Sequence, residues 1–387
     1  MNQVLLRGMT WNHSRALPPL VAAAQRFEEQ HPGVRIQWEK RSLHEFGHAN
    51  IAILARSFDL LVIDHPMVGD AEATGALTDL LPQLSSGEIE DLKDDSLGPC
   101  FSSYIYYGRL YALPIDAAAP AASFRPDLLA QCGLEEPKDW SDVMTLARLG
   151  RVRMPAFSAD LFLNFLGLCV SRGSGVAANP EQLVDHEIGA HCLEQLGELA
   201  DLMPDEIYRM NPIGLYERMT DEDTIAYCPF AYTYSNYSRN GFGARRIRFS
   251  NPVALDDNLP MRTVLGGTGI AISTGCKDPA LALEYSLFVA GRTCQRTLYG
   301  MCGGQPARRS AWHAPLLNQI TDDFFWRTAT SIETAYVRPR YCGYVELQER
   351  AGGAIVEYCK HHGNAQQALE QMDALYRTSL KGDVQRA

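Results

Sequence analysis

The first 64 residues alternate between two kinds of apolar pattern, and this alternation limits the fold more than any other feature of the chain. Residues 4–9, 34–38 and 58–64 are short runs of strand length, the last almost wholly apolar. Between them, residues 17–31 and 43–57 repeat apolar side chains at helical spacing. Strands that alternate with helices predict a parallel sheet, because parallel neighbours must be joined by a crossover. Ligands of such sheets gather beyond the carboxyl ends of the strands. Those ends carry Trp11, Asn12, His13 and Arg15 after the first strand, and Asp64 and His65 after the third.

Further along, residues 104–115 read as a hairpin through Tyr107-Gly108-Arg109 that runs into Asp116. The pattern then turns mostly helical. Ser141 is placed to cap one helix, and Asn179-Pro180 to open a long one reaching about Met203. An aromatic-rich stretch, residues 227–237, includes Tyr232, Tyr234 and Asn236, and residues 264–272 form a glycine-interrupted strand with Gly267 and Thr268. Asp278-Pro279 opens another helix, and from Tyr344 two amphipathic helices break at Gly363-Asn364. With no internal repeat and no low-complexity linker, two lobes built from interleaved segments fit better than two consecutive domains.

Composition excludes several function classes. No apolar run approaches the eighteen residues of a membrane-spanning helix. A net charge of −11 argues against nucleic acid as a partner, because such affinity rests on Lys and Arg contacts to phosphate. The ten cysteines form no C-x-x-C pair, so no zinc knuckle or thioredoxin-type motif exists. Scattered in this way they suit a reducing compartment. Met1-Asn2-Gln3 leads directly into an apolar strand without a basic leader. A cytoplasmic location is expected, or a periplasmic one if a signal segment has been removed.

Three local patterns imitate known sites. His44-Glu45-Phe46-Gly47-His48 matches H-E-x-x-H, yet Ser42 and Glu45 form a capping box that accounts for the glutamate. Residues 173–178 match G-x-G-x-x-A but lie between two helical segments, where a dinucleotide loop would have to leave a strand. Cys359, His361 and His362 suit a helix end, where cationic groups complement the dipole. No metal and no cofactor are expected.

Six longer blocks stand in an order that resembles one family. They are Phe-Glu-Glu-Gln-His-Pro-Gly-Val at 27–34, Phe-Asp-Leu-Leu-Val-Ile-Asp at 58–64, and Gly-Arg-Leu-Tyr-Ala-Leu-Pro-Ile-Asp at 108–116. Ser-Phe-Arg-Pro-Asp-Leu-Leu at 123–129, Leu-Gly-Gly-Thr-Gly-Ile-Ala-Ile-Ser at 265–273 and Gly-Gly-Gln-Pro-Ala-Arg-Arg-Ser at 303–310 follow, with a closing Asn-Ala-Gln-Gln-Ala-Leu at 364–369. In this the chain resembles the family 1 extracellular solute-binding proteins, the sugar-binding components of bacterial ABC importers.

The resemblance implies an α/β, periplasmic-binding-protein-like fold, in which two α/β lobes close about a hinge on a ligand between them. Lobe one is expected from 1–116 plus 264–320, and a mostly helical lobe two from 117–263 plus 321–387. Crossings are expected near Asp116, near Gly266 and around Asn318 to Phe325. The implied ligand set is Trp11, Asn12, His13, Arg15, Asp64, His65, Asp116, Tyr232, Tyr234, Asn236, Gly267, Thr268, Gln305 and Arg308. The expected partners are a small-molecule ligand and, if the chain is exported, an ABC-transporter permease; a monomer is expected. Aromatic faces with Asp, Asn and Gln suit a carbohydrate or polyol, whereas His13, Arg15, His65 and Arg308 suit a carboxylate or phosphate. Both stand open at this point. So does a cytoplasmic lyase, isomerase or hydrolase on the same scaffold, for which His13, His65, Asp116 and Cys302 would be the chemical groups.

Overall fold

The structure, a computed structural model, describes residues 4–43, 45 and 50–384. Strands β1 (Val4–Trp11), β2 (Val34–Arg41) and β3 (Leu60–Ile63) pair in parallel, as their alternation with helices requires. All four residues of β3 are buried, which matches its unbroken apolar run. Helix α1 (Leu17–Gln30) turns Leu20, Ala23, Ala24 and Phe27 onto this sheet. Burying Phe27 alone contributes about 1.5–3 kcal/mol.

The hairpin is shorter than residues 104–115. Strands β4 (Ile105–Tyr106) and β5 (Arg109–Leu110) meet through Tyr107 and Gly108, both at positive φ. The chain then leaves as β6 (Leu113–Ala118), which joins the edge of the large sheet. One residue later it becomes β7 (Pro120–Phe124) of a second sheet, with antiparallel β8 (Tyr227–Tyr232) and β9 (Arg248–Ser250) on either side. Strand β10 (Gly266–Ile272) returns to the first sheet and pairs antiparallel with both β3 and β6, giving the order β2-β1-β3-β10-β6.

Behind the second sheet lie α2 (Ser158–Ser171), α3 (His186–Asp201) and the C-terminal pair α4 (Tyr344–His361) and α5 (Ala365–Val384). Helix α3 starts at Asp185, whose side chain accepts the Ile188 amide at 3.0 Å. The expected cap Asn179 instead closes a turn by accepting the amides of Glu181 and Gln182. Asp139, not Ser141, caps the helix Trp140–Arg148. The Asp278 cap, the Ser42–Glu45 capping box and the break after His361 stand as the sequence implies. Of the H-E-x-x-H pattern, His44, Phe46, Gly47 and His48 lie outside the described residues.

The chain passes between sheets at Ala119 and again between β9 and β10, near the expected Asp116 and Gly266. The third crossing comes earlier than Asn318 to Phe325. Tyr299 belongs to the core of the first sheet, whereas Ala307, Trp312 and Leu317 share a buried cluster with Tyr216, Phe249, Phe324 and Phe325. The Trp312 and Phe325 rings meet edge to face at 5.1 Å. A boundary at 320/321 would therefore cut through packed aromatic side chains, and the passage falls at Gly303-Gly304-Gln305.

Candidate ligand-binding cleft

Between the two sheets opens a cleft of about 380 Å³, at the low end of the range that encloses small ligands. Lobe one contributes Trp11, Arg15, Asp64 and Met67, the passing strand β10 contributes Gly266, Gly267 and Thr268, and lobe two contributes Asp160, Arg209, Tyr232 and Tyr234. The first group sits where β1 and β3 end, as a parallel sheet demands. Tyr232 reaches the wall because its ring lies over Gly266, where a Cβ would come within 2.4 Å of it. Its hydroxyl donates to the Val264 carbonyl at 3.2 Å.

Two arginines set the electrostatics, and each is held by the protein itself. Arg15 Nε donates to Asp116 Oδ2 at 2.9 Å, its Nη2 to Asp116 Oδ1, and its Nη1 to the Thr233 carbonyl at 2.7 Å. The guanidinium lies 4.8 Å over the Tyr234 ring. The Arg15 amide donates to His13 Nδ1 at 2.9 Å. Burial, with Arg15 beside it, lowers His13 to about 4, so its ring stays neutral and able to accept this bond.

Arg338 makes the second arrangement. Its Nη2 donates to Asp64 Oδ2 at 2.6 Å and its Nη1 to Gln348 Oε1 at 3.0 Å. It thereby ties the loop after β3 to helix α4 on the other lobe. Burial would raise the Asp64 carboxyl, but Arg338 and the adjoining His65 outweigh it and hold the group at about 2. His65 is fully buried, and burial followed by the charge of Arg338 lowers it to about 4.

Of the fourteen expected ligand residues, the cleft wall gathers Trp11, Arg15, Asp64, Tyr232, Tyr234, Gly267 and Thr268. The others lie elsewhere. Asn12 is exposed at the end of β1, where its amide donates to Arg41. His13 and Asp116 stand behind Arg15 and position it. Gln305 is buried at the third crossing, where it donates to the Ala117 carbonyl at 3.0 Å and accepts the Ser235 amide at 2.7 Å. Asn236 is buried beside Gly303.

Arg308 is not on the cleft wall: its Nε donates to the Ala290 carbonyl at 2.7 Å and its Nη1 pairs with Asp91 at 2.9 Å. Arg308→Ala is expected to lower stability by about 1–3 kcal/mol, by orphaning these acceptors, and to leave ligand affinity unchanged. Urea unfolding beside calorimetric titration checks this; lost affinity at full stability would return Arg308 to the ligand set. The groups named for chemistry are likewise not assembled. His65 and Cys302 are off the cleft wall, and Asp116 is engaged by Arg15. Among the described residues no three His, Cys, Asp or Glu side chains gather into a metal set.

Sequence reasoning missed Asp160, Arg338 and Glu349, all on the wall. Asp160 lies in the first turn of α2, and Glu349 on α4 accepts from the Ser158 hydroxyl at 2.8 Å. Nothing local in the sequence marks them; Arg338 is one arginine in a chain whose 35 basic residues are mostly arginine.

Comparison with known proteins agrees with this geometry. No curated protein sequence matches the chain. Among solved structures, maltose-bound MalE3 of T. maritima superposes with a TM-score of 0.82 at 15% identity, over 97% of this chain and 99% of that one. The GacH receptor of Streptomyces glaucescens, solved unliganded and with acarbose, gives 0.81 at 18% identity over 98% and 99%. An ABC transporter solute-binding protein from Agrobacterium radiobacter K84 in complex with ribitol gives 0.78 at 19% identity over 97% and 99%. The fold is thus the two-lobed periplasmic-binding-protein type. Residues 10–291 match the family described as bacterial extracellular solute-binding protein, and the chain belongs to that family.

Proposed function

We propose that the cleft binds a polyhydroxy ligand, a sugar or polyol, and releases it unaltered, for uptake through an ABC-transporter permease or for sensing. The observation that carries this reading is the commitment of both buried cleft arginines to carboxylates of the protein itself, Arg15 to Asp116 and Arg338 to Asp64. A carboxylate or phosphate held inside the cleft would need a buried guanidinium free, and the remaining arginine of the wall, Arg209, is solvent-exposed. The partly exposed ring of Tyr232 offers a flat apolar face of the kind sugar rings stack on, and the solved relatives named above were crystallised with maltose, acarbose and ribitol. A cytoplasmic location, with sensing as the role, is supported by ten cysteines of which none is joined in a disulfide among the described residues.

A thermal-unfolding screen of sugars, polyols, carboxylates and phosphates tests the reading, with each hit recovered for mass spectrometry. A sugar or polyol at about 100 times its dissociation constant is expected to add roughly 2.7 kcal/mol and to be recovered unchanged. Stabilisation by simple carboxylates or phosphates alone, or recovery of an altered ligand, would overturn it.

A further inference from the structure

Two carboxyl groups share the lobe-two wall of the cleft. Asp160 projects from the first turn of α2, and Glu349 from α4, which crosses so closely that a Cβ on Gly352 would fall 2.0 Å from the Ser158 carbonyl oxygen. Glu349 accepts from the Ser158 hydroxyl. The Asp160 carboxyl makes no hydrogen bond or ion pair with any described residue. Burial, and then the charge of Glu349, raises its carboxyl to about 7. The cations that could compensate it are engaged elsewhere: Arg15 by Asp116, Arg338 by Asp64, while Arg209 stands exposed at the cleft edge.

A second observation points into the same space. Thr268 on β10 is 5% exposed, lines the cleft, and its hydroxyl has no partner among the described residues. Arg338 Nε, buried in the same wall, also lacks one. Buried polar atoms left unpaired are costly, so a ligand that completes them is favoured. The two demands differ in kind. Thr268 and Arg338 are satisfied by hydroxyl oxygens, whereas Asp160 beside Glu349 is satisfied by a cationic donor.

We propose that the cleft selects a polyhydroxy ligand that carries a basic amine, an amino sugar or amino-polyol, with Asp160 as the residue that reads the nitrogen. This rests on the reading of the cleft as a sugar or polyol site and narrows it. An ammonium group has several N–H donors, enough to bond Asp160 and neutralise its repulsion with Glu349.

Calorimetric titration with sorbitol, 1-amino-1-deoxysorbitol and gluconate tests the proposal, since the three share a carbon chain and differ in the charge of one terminus. Cellobiose and fully deacetylated chitobiose form a larger neutral and cationic pair. In the wild-type protein the amine of each set is expected to bind about tenfold more tightly than its neutral partner. Asp160→Asn, checked for folding by circular dichroism, is expected to erase that preference while neutral ligands still bind. Should that variant not fold, Glu349→Gln keeps the acceptor for Ser158 and is expected to lower the preference. Equal binding of amine and neutral ligands, tighter binding of gluconate, or a preference that survives the substitution would overturn the proposal and leave the sugar or polyol reading standing. Failure of every ligand in both sets to bind would overturn both.

Discussion

Gly267→Ala is expected to cost roughly 2–5 kcal/mol of folding stability, a sum of two separate penalties. Gly267 adopts φ +96, a conformation that strains any residue with a Cβ by about 1–2 kcal/mol. A Cβ there would also fall 2.3 Å from the Asp116 carbonyl oxygen and 2.8 Å from the Ala117 Cα. These are backbone atoms of the paired strand β6, so relief requires one strand to move, at a further cost of about 1–3 kcal/mol. Gly75 provides the control. It also has positive φ, at +60, but a Cβ on it meets nothing within 4 Å, so Gly75→Ala should show the conformational cost alone. Urea unfolding of both variants separates the two contributions. Displacing β6 would also shift Asp116 and with it Arg15, so ligand affinity should fall for Gly267→Ala and hold for Gly75→Ala. Equal stability losses in the two variants would show that the close approach of β10 to β6 carries no energetic weight.

Gly267 also marks how far the sequence could be read. Strands β1 to β3 and helix α1 were legible because their apolar periodicities are local and each element buries the face that its spacing predicts. The insertion of β10 between β3 and β6 was not. It pairs Ile270 with Val62 across two hundred residues of intervening chain, and no pattern within either strand encodes that register. The cleft divides along the same line. Trp11, Arg15 and Asp64 follow strand ends, so a topological rule found them. Arg15 and Asp116 were each singled out as ligand groups, but the pairing that binds them to one another is a tertiary fact. Arg308 lies off the cleft wall for a related reason. It follows the Gly-Gly-Gln crossing directly, yet the turn there carries its guanidinium to Asp91 and Ala290 rather than into the cleft. Asp160 and Arg338 had no local signal at all, since their roles exist only once two helices and two loops converge.

Arg338→Met is expected to destabilise the protein by about 3 kcal/mol near neutral pH, because it removes the only side-chain cation the described structure places on the Asp64 carboxylate. The sign of the pH dependence tests the cause. In the wild-type protein Asp64 titrates at about 2, below its value of roughly 3.9 in the unfolded chain. Its contribution is therefore fully present above pH ~4 and lost as the pH falls through 2. Without Arg338 the strongest influence that lowers Asp64 is gone and its folded-state pKa moves up, which the neighbouring His65 only partly offsets. The stability that the ionised group contributes above pH ~4 then shrinks, while nothing changes in acid, where the group is protonated in both states. The deficit of Arg338→Met relative to wild type should accordingly widen between pH 3 and 7. Asp64→Asn in the same background should recover much of the loss, since an amide can be buried without a counterion. Additive losses in the double variant, or a deficit independent of pH, would mean that packing of the Arg338 side chain and not the ion pair holds this region. The same substitution bears on ligand choice. Arg338 neutralises Asp64 on the cleft wall and anchors it to Gln348 across the two lobes. Its removal both loosens the lobes and adds an uncompensated carboxylate to a cleft that already holds Asp160 and Glu349. Neutral ligands should therefore lose more affinity than cationic ones, for which the extra negative charge offsets part of the looser closure.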